Sequence, residues 1–110
     1  MEIDVKGESQ AVIIALTGRM DAVSAPQFDQ TVGDFIEQGK TQIIIDFKSL
    51  EYISSAGLQS VLALAKRLEL INGTVLLSDL NGAVKEVFEI SGFSSIFPIF
   101  DNLDAAKASI

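Results

Sequence analysis

Three short apolar runs, each followed by a segment of helical periodicity, constrain the fold of this chain more than any other feature of its sequence. The runs lie at residues 11–17, 42–47 and 74–78. Runs with so few polar positions are typical of strands buried on both faces, and such strands belong to parallel sheets that are covered by helices. The alternation of these runs with helical segments therefore predicts an α/β domain with a mainly parallel sheet.

The helical segments begin and end at residues that are common at helix termini. Helices are predicted over residues 24–39, about 56–71, 81–92 and from about 101 onward. Ser24 and Gln27 stand at the spacing of a capping box, and Pro26 falls in the first turn, where a missing N–H group costs nothing. Asn81 and Asp101 are the predicted caps of the third and fourth helices.

Two further strands are predicted at the edges of the sheet. Ile3 and Val5 alternate with polar neighbours, which indicates a short antiparallel N-terminal edge strand, followed by a turn at residues 7–10. Residues 96–100 form the last strand, and Pro98 confines it to an edge because proline cannot donate a ladder hydrogen bond. Residues 48–54 are predicted to form a loop. The sequence thus predicts one domain over residues 1–110, with a mixed sheet of four or five strands and about four helices.

The charge of the chain and its missing residue types exclude several classes of function. The net charge of −7 argues against a nucleic-acid or anionic membrane partner, because phosphate binding relies on clustered basic residues. The chain has no cysteine and no histidine, so thiolate and imidazole metal sites and catalysis by these groups are excluded. No apolar run reaches the length of about 18 residues that a membrane span needs, and the N-terminus lacks a signal-peptide pattern. We therefore expect a cytoplasmic protein without a metal or a cofactor.

The motifs that would indicate an enzyme are incomplete. Residues 33–41 resemble a phosphate-binding loop, but they have one residue too many between the glycines and lie at the end of a helix. A Ser-His-Asp hydrolase is impossible without histidine. Asp21 and Asp46 could form an acid/base pair, although nothing near them in the sequence indicates a substrate pocket. A phosphorelay receiver needs an acidic pair after its first strand, and residues 13–17 are not followed by one. We expect a protein that is not an enzyme.

A site is expected in the loops that follow the strands, because ligands of such sheets gather at the carboxyl ends of the strands. Two of these loops carry Asp21 and the pair Ser54 and Ser55. A serine at this place is a favoured helix N-cap, since its hydroxyl accepts a hydrogen bond from an unpaired N–H group. The same place suits a phosphoserine, because the helix dipole and the free N–H groups stabilise its charge. The two interpretations are compatible.

Three segments, in order and at matching spacing, resemble the STAS-domain anti-sigma factor antagonists of bacteria. Residues 18–26 (GRMDAVSAP) look like that family's Gly-Glu-Ile-Asp…Ser-Ala-Pro segment. Residues 46–58 (DFKSLEYISSAGL) are similar to its signature, which ends in Met-Asp-Ser-Ser/Thr-Gly-Leu, and residues 84–93 look like its third helix. The resemblance covers nearly the whole chain. Ser54 stands where the family has Asp, and Ala56 stands where it has Ser or Thr.

The resemblance implies a regulatory function. An antagonist of this family binds an anti-sigma factor that is also a serine kinase, is released when the kinase phosphorylates it, and is restored by a PP2C-type phosphatase. Carried over by position, the phosphorylated serine is Ser55, with Ser54 as the second choice. The implied partner-binding residues lie in the two loops and at the start of the second helix: Asp21, Ser24, Ser54, Ser55, Ala56, Gly57 and Leu58. The alternative is a constitutive STAS interaction module without phosphorylation, either a scaffold or a subunit of a transport or stress-signalling complex, which Ser54 and Ala56 favour.

Overall fold

Each of the predicted apolar runs forms a strand in the computed structural model, which describes residues 1–7 and 11–110. In chain order the strands are β1 (Glu2–Gly7), β2 (Val12–Met20), β3 (Gln42–Ile53), β4 (Thr74–Ser78) and β5 (Ile99–Phe100). The helices are α1 (Ala25–Glu37), α2 (Ser55–Glu69), α3 (Gly82–Ile90) and α4 (Leu103–Ala108), and a 3-10 turn spans Phe93–Ser95. The predicted alternation of strands and helices is confirmed.

The strand order in the sheet is β1-β2-β3-β4-β5, so each strand lies beside its neighbour in the sequence. β1 is antiparallel to β2, whereas the other neighbouring pairs are parallel. The mixed sheet with an antiparallel N-terminal edge strand is thus confirmed. At the opposite edge, the strand predicted over residues 96–100 is shorter than expected, because β5 begins only at Ile99, directly after Pro98. Because α1, α2 and α3 each connect two adjacent parallel strands, the N-termini of these three helices lie at the carboxyl edge of the sheet.

The two faces of the sheet are covered unequally. The helices α1, α2 and α3 pack on one face, where Phe28, Leu64 and Phe88 belong to a large cluster with the buried residues of the strands. The Phe88 ring contacts Phe47 of β3 edge to face, with 5.5 Å between the ring centroids. The short helix α4 packs on the other face, where Ala106 joins a smaller cluster from the middle of the sheet. The main core therefore lies under the three helices that begin at the carboxyl edge.

Strand β3 is twice as long as predicted, because residues 48–53 continue the strand. Its pairing with β2 shifts register at two places between Ala15 and Arg19, so β3 carries extra residues at two bulges. Each bulge interrupts the alternation of buried and exposed positions. The polar residues after Phe47 therefore look like a loop in the sequence, and the prediction of a loop over residues 48–54 is wrong.

Two of the predicted helix caps differ from the structure. Ser24 occupies the N-cap position of α1, but its side chain makes no capping hydrogen bond, so the predicted box with Gln27 is not formed. Helix α4 is capped by Asn102 instead of Asp101, and the Asn102 side chain accepts the capping hydrogen bond at 2.8 Å. Asn81 is the N-cap residue of α3, as predicted, although its side chain makes no capping hydrogen bond. The sequence thus predicts the position at which a helix begins better than it predicts the hydrogen bonds of the N-cap side chain.

Within residues 1–7 and 11–110, no helix combines the length and the apolar character that crossing a bilayer requires. The same residues contain no cluster of acidic side chains arranged to hold a metal ion. The turn predicted at residues 7–10 includes residues 8–10, which lie outside the described residues.

Candidate docking site

The carboxyl ends of β2 and β3 lie side by side and bring the two predicted loops together. Met20 and Ile53 are register partners in the parallel pair, and the Ser54 N–H group donates to the Met20 carbonyl at 2.9 Å. The turn after β2, which contains Asp21, therefore lies beside the start of α2, which contains Ser55. We call this surface the carboxyl rim; its residues are Asp21, Val23, Ser24, Ser54 and Ser55.

Ser54 caps the second helix. It is the N-cap residue of α2, with extended backbone, and its Oγ accepts a hydrogen bond from the Gly57 N–H group at 3.2 Å. This bond satisfies one of the N–H groups that a helix leaves unpaired at its first turn. The capping role that the sequence assigned to a serine at this place therefore belongs to Ser54, and its half-buried hydroxyl is engaged in the fold.

Ser55 is the first residue of α2, and its side chain is exposed. Within the described part of the chain the Ser55 hydroxyl makes no hydrogen bond. The first turn of α2 contains no acidic residue, so no carboxylate within the helix itself offsets the positive end of its dipole. Ser55 thus combines accessibility, an unengaged hydroxyl and an environment that stabilises added negative charge.

Gly57 allows α2 to begin in close contact with the ends of both strands. A Cβ atom at this position would lie 2.8 Å from Ile53 Cγ1 and 3.0 Å from the Met20 carbonyl oxygen. Leu58 packs in the main core, and Ala56 is half-buried. Gly57 and Leu58 therefore support the exposed residues of the carboxyl rim by packing against the ends of the strands and the core. Direct contact of these two residues with a partner stays a prediction.

Asp21 organises the turn between β2 and α1. Its Oδ1 accepts hydrogen bonds from the Val23 N–H group at 3.0 Å, the Ser24 N–H group at 3.1 Å and the Ser24 hydroxyl at 3.2 Å. The Ser24 Oγ in turn accepts from the Asp21 N–H group at 2.9 Å. The backbone hydrogen bond from Ser24, together with the other two donors and the charge of Arg19, outweighs desolvation and lowers the pKa of Asp21. The lowered pKa keeps the aspartate ionised at neutral pH, and its hydrogen bonds to Val23 and Ser24 close the turn.

Three side chains next to the predicted residues were not found from the sequence. The Arg19 guanidinium lies over the Tyr52 ring, 4.2 Å from its centroid, and the two residues face each other across β2 and β3. Val23 lies in the turn that Asp21 holds, and it is 90% exposed. Arg19 and Tyr52 could have been paired only from the register of β2 and β3, and the two bulges make that register impossible to read from the sequence. The signal for Val23 would have been an apolar residue inside a polar turn.

Asp21 and Asp46 do not come together. Asp46 pairs with Ala15 in the middle of the sheet, whereas Asp21 follows the end of β2. Asp21 follows Ala15 by six positions, which corresponds to about 20 Å along a strand. The Asp46 carboxylate accepts a hydrogen bond from the Lys48 N–H group at 2.9 Å. The acid/base pair considered from the sequence is therefore wrong.

Comparison with known proteins identifies relatives along nearly the whole chain. Residues 2–106 match the sequence model of the STAS domain. BtrV of Bordetella bronchiseptica, whose assignment as an anti-sigma factor antagonist is provisional, is 40% identical over 98 residues, which cover 89% of this chain and 84% of BtrV.

Solved structures share the fold at lower sequence identity. An anti-sigma factor antagonist from Mycobacterium paratuberculosis is 22% identical, with a TM-score of 0.89, and the match covers 99% of this chain and 92% of that one. The Bacillus cell fate determinant SpoIIAA in its phosphorylated form is 24% identical, with a TM-score of 0.77, and the match covers 99% of this chain and all of that one. At these identities the likeness establishes the architecture of the sheet and helices.

Proposed function

This chain belongs to the STAS domain family, and from that premise we propose that it is an anti-sigma factor antagonist whose docking is ended by phosphorylation of Ser55. The observation that carries the proposal is the exposed and unengaged Ser55 hydroxyl at the start of α2. The names of relatives such as BtrV support the antagonist function, and the phosphorylated form of SpoIIAA shows that a protein of this fold accepts a phosphate. The partner is an anti-sigma factor with serine kinase activity, and the compartment is the cytoplasm.

The covalent step transfers the γ-phosphoryl group of ATP to the Ser55 oxygen. The P–O bond to ADP breaks, a bond from phosphorus to the Ser55 oxygen forms, and the hydroxyl proton is released. The kinase supplies the catalytic groups, so this chain is a substrate and a binding protein, not an enzyme. A PP2C-type phosphatase reverses the step with water, which returns inorganic phosphate and the free hydroxyl.

The free protein tolerates the phosphate because of where Ser55 lies. A phosphoserine adds about −1.5 to −2 charges, and the N-terminus of α2, whose first turn contains no acidic residue, stabilises them. The hydrogen bond between Ser54 and Gly57 is separate from the Ser55 hydroxyl, so the helix cap stays intact. Modification is therefore expected to leave the fold unchanged.

The phosphate acts on the docked state. Docking would remove water from the phosphate dianion. The attraction of the helix terminus does not compensate for all of this lost hydration, so the phosphate lowers the affinity for the partner. Changing an interface from 99% occupied to 99% empty requires about 5.5 kcal/mol, and one partly buried dianion can supply much of that difference. The switch thus needs no conformational change in this chain.

Ser54 is the less favourable acceptor. Its hydroxyl already caps α2 and is half-buried, whereas that of Ser55 is exposed. The family has Asp at the position of Ser54. Compared with that aspartate, Ser54 still provides a capping oxygen, but it carries no negative charge, so the rim has one carboxylate fewer. The docking face that we propose therefore contains Asp21, Ser24 and Ser54 to Leu58, with the exposed atoms of Ser55 in its middle.

The test is an affinity pull-down from the native cell with and without ATP, followed by intact-mass measurement. We expect wild type to capture an anti-sigma factor kinase, to gain one phosphate with ATP and to lose the kinase. Ser55→Ala should keep the kinase and gain no phosphate, Ser55→Asp should bind it weakly, and Ser54→Ala should still be phosphorylated. Equal affinity of Ser55→Ala and Ser55→Asp would contradict the mechanism. An unmodified chain with a stable partner would indicate the constitutive interaction module.

A further inference from the structure

One apolar side chain on the carboxyl rim is displayed to solvent in a rigid setting. Val23 is 90% exposed, although it lies between Ala22 and Ser24 in a turn where a polar residue would be expected. A single exposed apolar residue on a protein surface is common and needs no explanation by itself. The position of Val23 and the rigidity of its turn are the features that carry an inference.

The turn fixes the direction of Val23 before any partner arrives. The Val23 N–H group donates to Asp21 Oδ1 at 3.0 Å, and the Ala25 N–H group donates to the Asp21 carbonyl at 2.8 Å. The Ser24 hydroxyl has one proton for two acceptors, Asp21 Oδ1 at 3.2 Å and the Arg19 carbonyl at 3.1 Å, and both acceptors keep Ser24 close to the end of β2. A side chain held in this way loses little conformational freedom on binding, because valine has one rotatable bond and its backbone is already ordered.

Val23 lies at the same edge of the sheet as Ser55. It follows Met20 by three residues, and the Met20 carbonyl holds the Ser54 N–H group immediately before Ser55. Asp21 directs its Oδ1 inward to the turn, where three donors engage that oxygen, so Asp21 acts on this part of the surface as a positioning residue. The apolar contact that this edge of the rim offers is therefore the Val23 side chain.

We propose that Val23 is an affinity and specificity determinant of docking: it inserts into an apolar socket on the anti-sigma factor kinase, at the edge of the contact centred on Ser55. The inference rests on the proposed function and adds the chemistry of the partner surface, which is an apolar depression beside the site that receives the serine. One ordered apolar side chain can discriminate between partners by shape, since a socket of the wrong size is left empty or overfilled.

The test is the Kd of the purified anti-sigma factor kinase that the pull-down captures, measured by calorimetry without ATP. Val23→Ala removes two methyl groups from the socket and should weaken binding about tenfold, and Val23→Asp should weaken it at least about a hundredfold. Leu70→Ala is the matched control, because Leu70 is 86% exposed at the far end of α2, about 22 Å from the rim. It should leave the Kd unchanged.

The outcomes separate this inference from the proposed function. Unchanged unfolding curves for the Val23 variants are expected, because the side chain contributes little to the core, and they assign the loss of affinity to the interface. If wild type binds the kinase and Val23→Asp binds equally well, the inference is overturned while the antagonist function stands. If Leu70→Ala weakens binding as much as Val23→Ala, the effect is not specific to the rim and the inference also falls. If wild type binds no anti-sigma factor kinase, both proposals are overturned.

Discussion

Replacing Gly57 by alanine should destabilise the protein, although alanine is the better helix former. The added Cβ atom would lie 2.8 Å from Ile53 Cγ1, 3.0 Å from the Met20 carbonyl oxygen and 3.1 Å from Met20 Cγ. These neighbours cannot move easily, because the Met20 carbonyl accepts the Ser54 N–H group and the Ile53 side chain is buried. The helix must therefore shift away from the strand ends.

The magnitude follows from two opposing contributions. Overpacking a fixed environment costs about 1–3 kcal/mol, and alanine in place of glycine in a helix contributes about 0.5–1 kcal/mol in the opposite direction. The free energy of unfolding of Gly57→Ala should thus fall by about 1–2 kcal/mol, which lowers the Tm by about 4–10 °C. Urea and thermal unfolding followed by circular dichroism measure both quantities.

Gly33→Ala is the matched control, since Gly33 lies inside α1 and its added Cβ atom would meet only the Arg67 guanidinium, at 3.1 Å from the nearer nitrogen. The far end of an exposed side chain can move at little cost, so Gly33→Ala should raise the free energy of unfolding by about 0.5–1 kcal/mol. The reasoning is refuted if the two substitutions change the stability in the same direction.

Three further predictions concern the rim and the core. Ser54→Ala removes the cap of α2 and should lower the free energy of unfolding by about 1 kcal/mol in urea titrations, whereas Ser54→Asp, which keeps a capping oxygen, should not. Because the pKa of Asp21 is lowered by folding, its contribution to stability is present above the ordinary value of 3.8 and is lost as the pH falls through the lower folded pKa. The stability difference between wild type and Asp21→Ala should therefore shrink below about pH 4 in acid unfolding curves, and a difference independent of pH would contradict this assignment. Phe88 is fully buried and lies edge to face with Phe47, so Phe88→Ala should lose about 3–5 kcal/mol in urea unfolding; a loss below about 1 kcal/mol would show that the core closes around the cavity.

The fold was predictable because its strongest determinants are local. The buried strands are recognisable in the sequence as apolar runs. Because a helix separates each of these strands from the next, the pattern indicates a parallel sheet. Pro98 predicts a strand at an edge, because proline cannot donate a ladder hydrogen bond, and β5 lies at the edge of the sheet. The second half of β3 could not be predicted, because its bulges place Lys48, Ser49, Glu51 and Tyr52 in an order that has no regular alternation.

The candidate site was predictable in position and less so in detail. The rule that sites gather at the carboxyl ends of parallel strands was enough to put Asp21 beside Ser54 and Ser55. A shift of one residue at the start of α2 would exchange the roles of the capping serine, Ser54, and the serine with an unengaged hydroxyl, Ser55. Sequence patterns are least informative at helix ends, so this detail could not be predicted. The contacts of Arg19 with Tyr52 depend on cross-strand register, which a single sequence does not encode locally.

The succession of strands in the sheet follows their succession along the polypeptide, from β1 at one border to β5 at the other. A nascent chain can therefore add every new strand to a partner that has already left the ribosome, and no strand has to be threaded between two that are already joined. Each parallel pair nevertheless joins residues that are far apart in the sequence, such as Ala15 with Asp46 and Asp46 with Ser78, and such non-local pairing folds more slowly than local contacts do. The order of the strands therefore favours one order of assembly, in which β1 and β2 pair first and β3, β4 and β5 are added in turn at one edge.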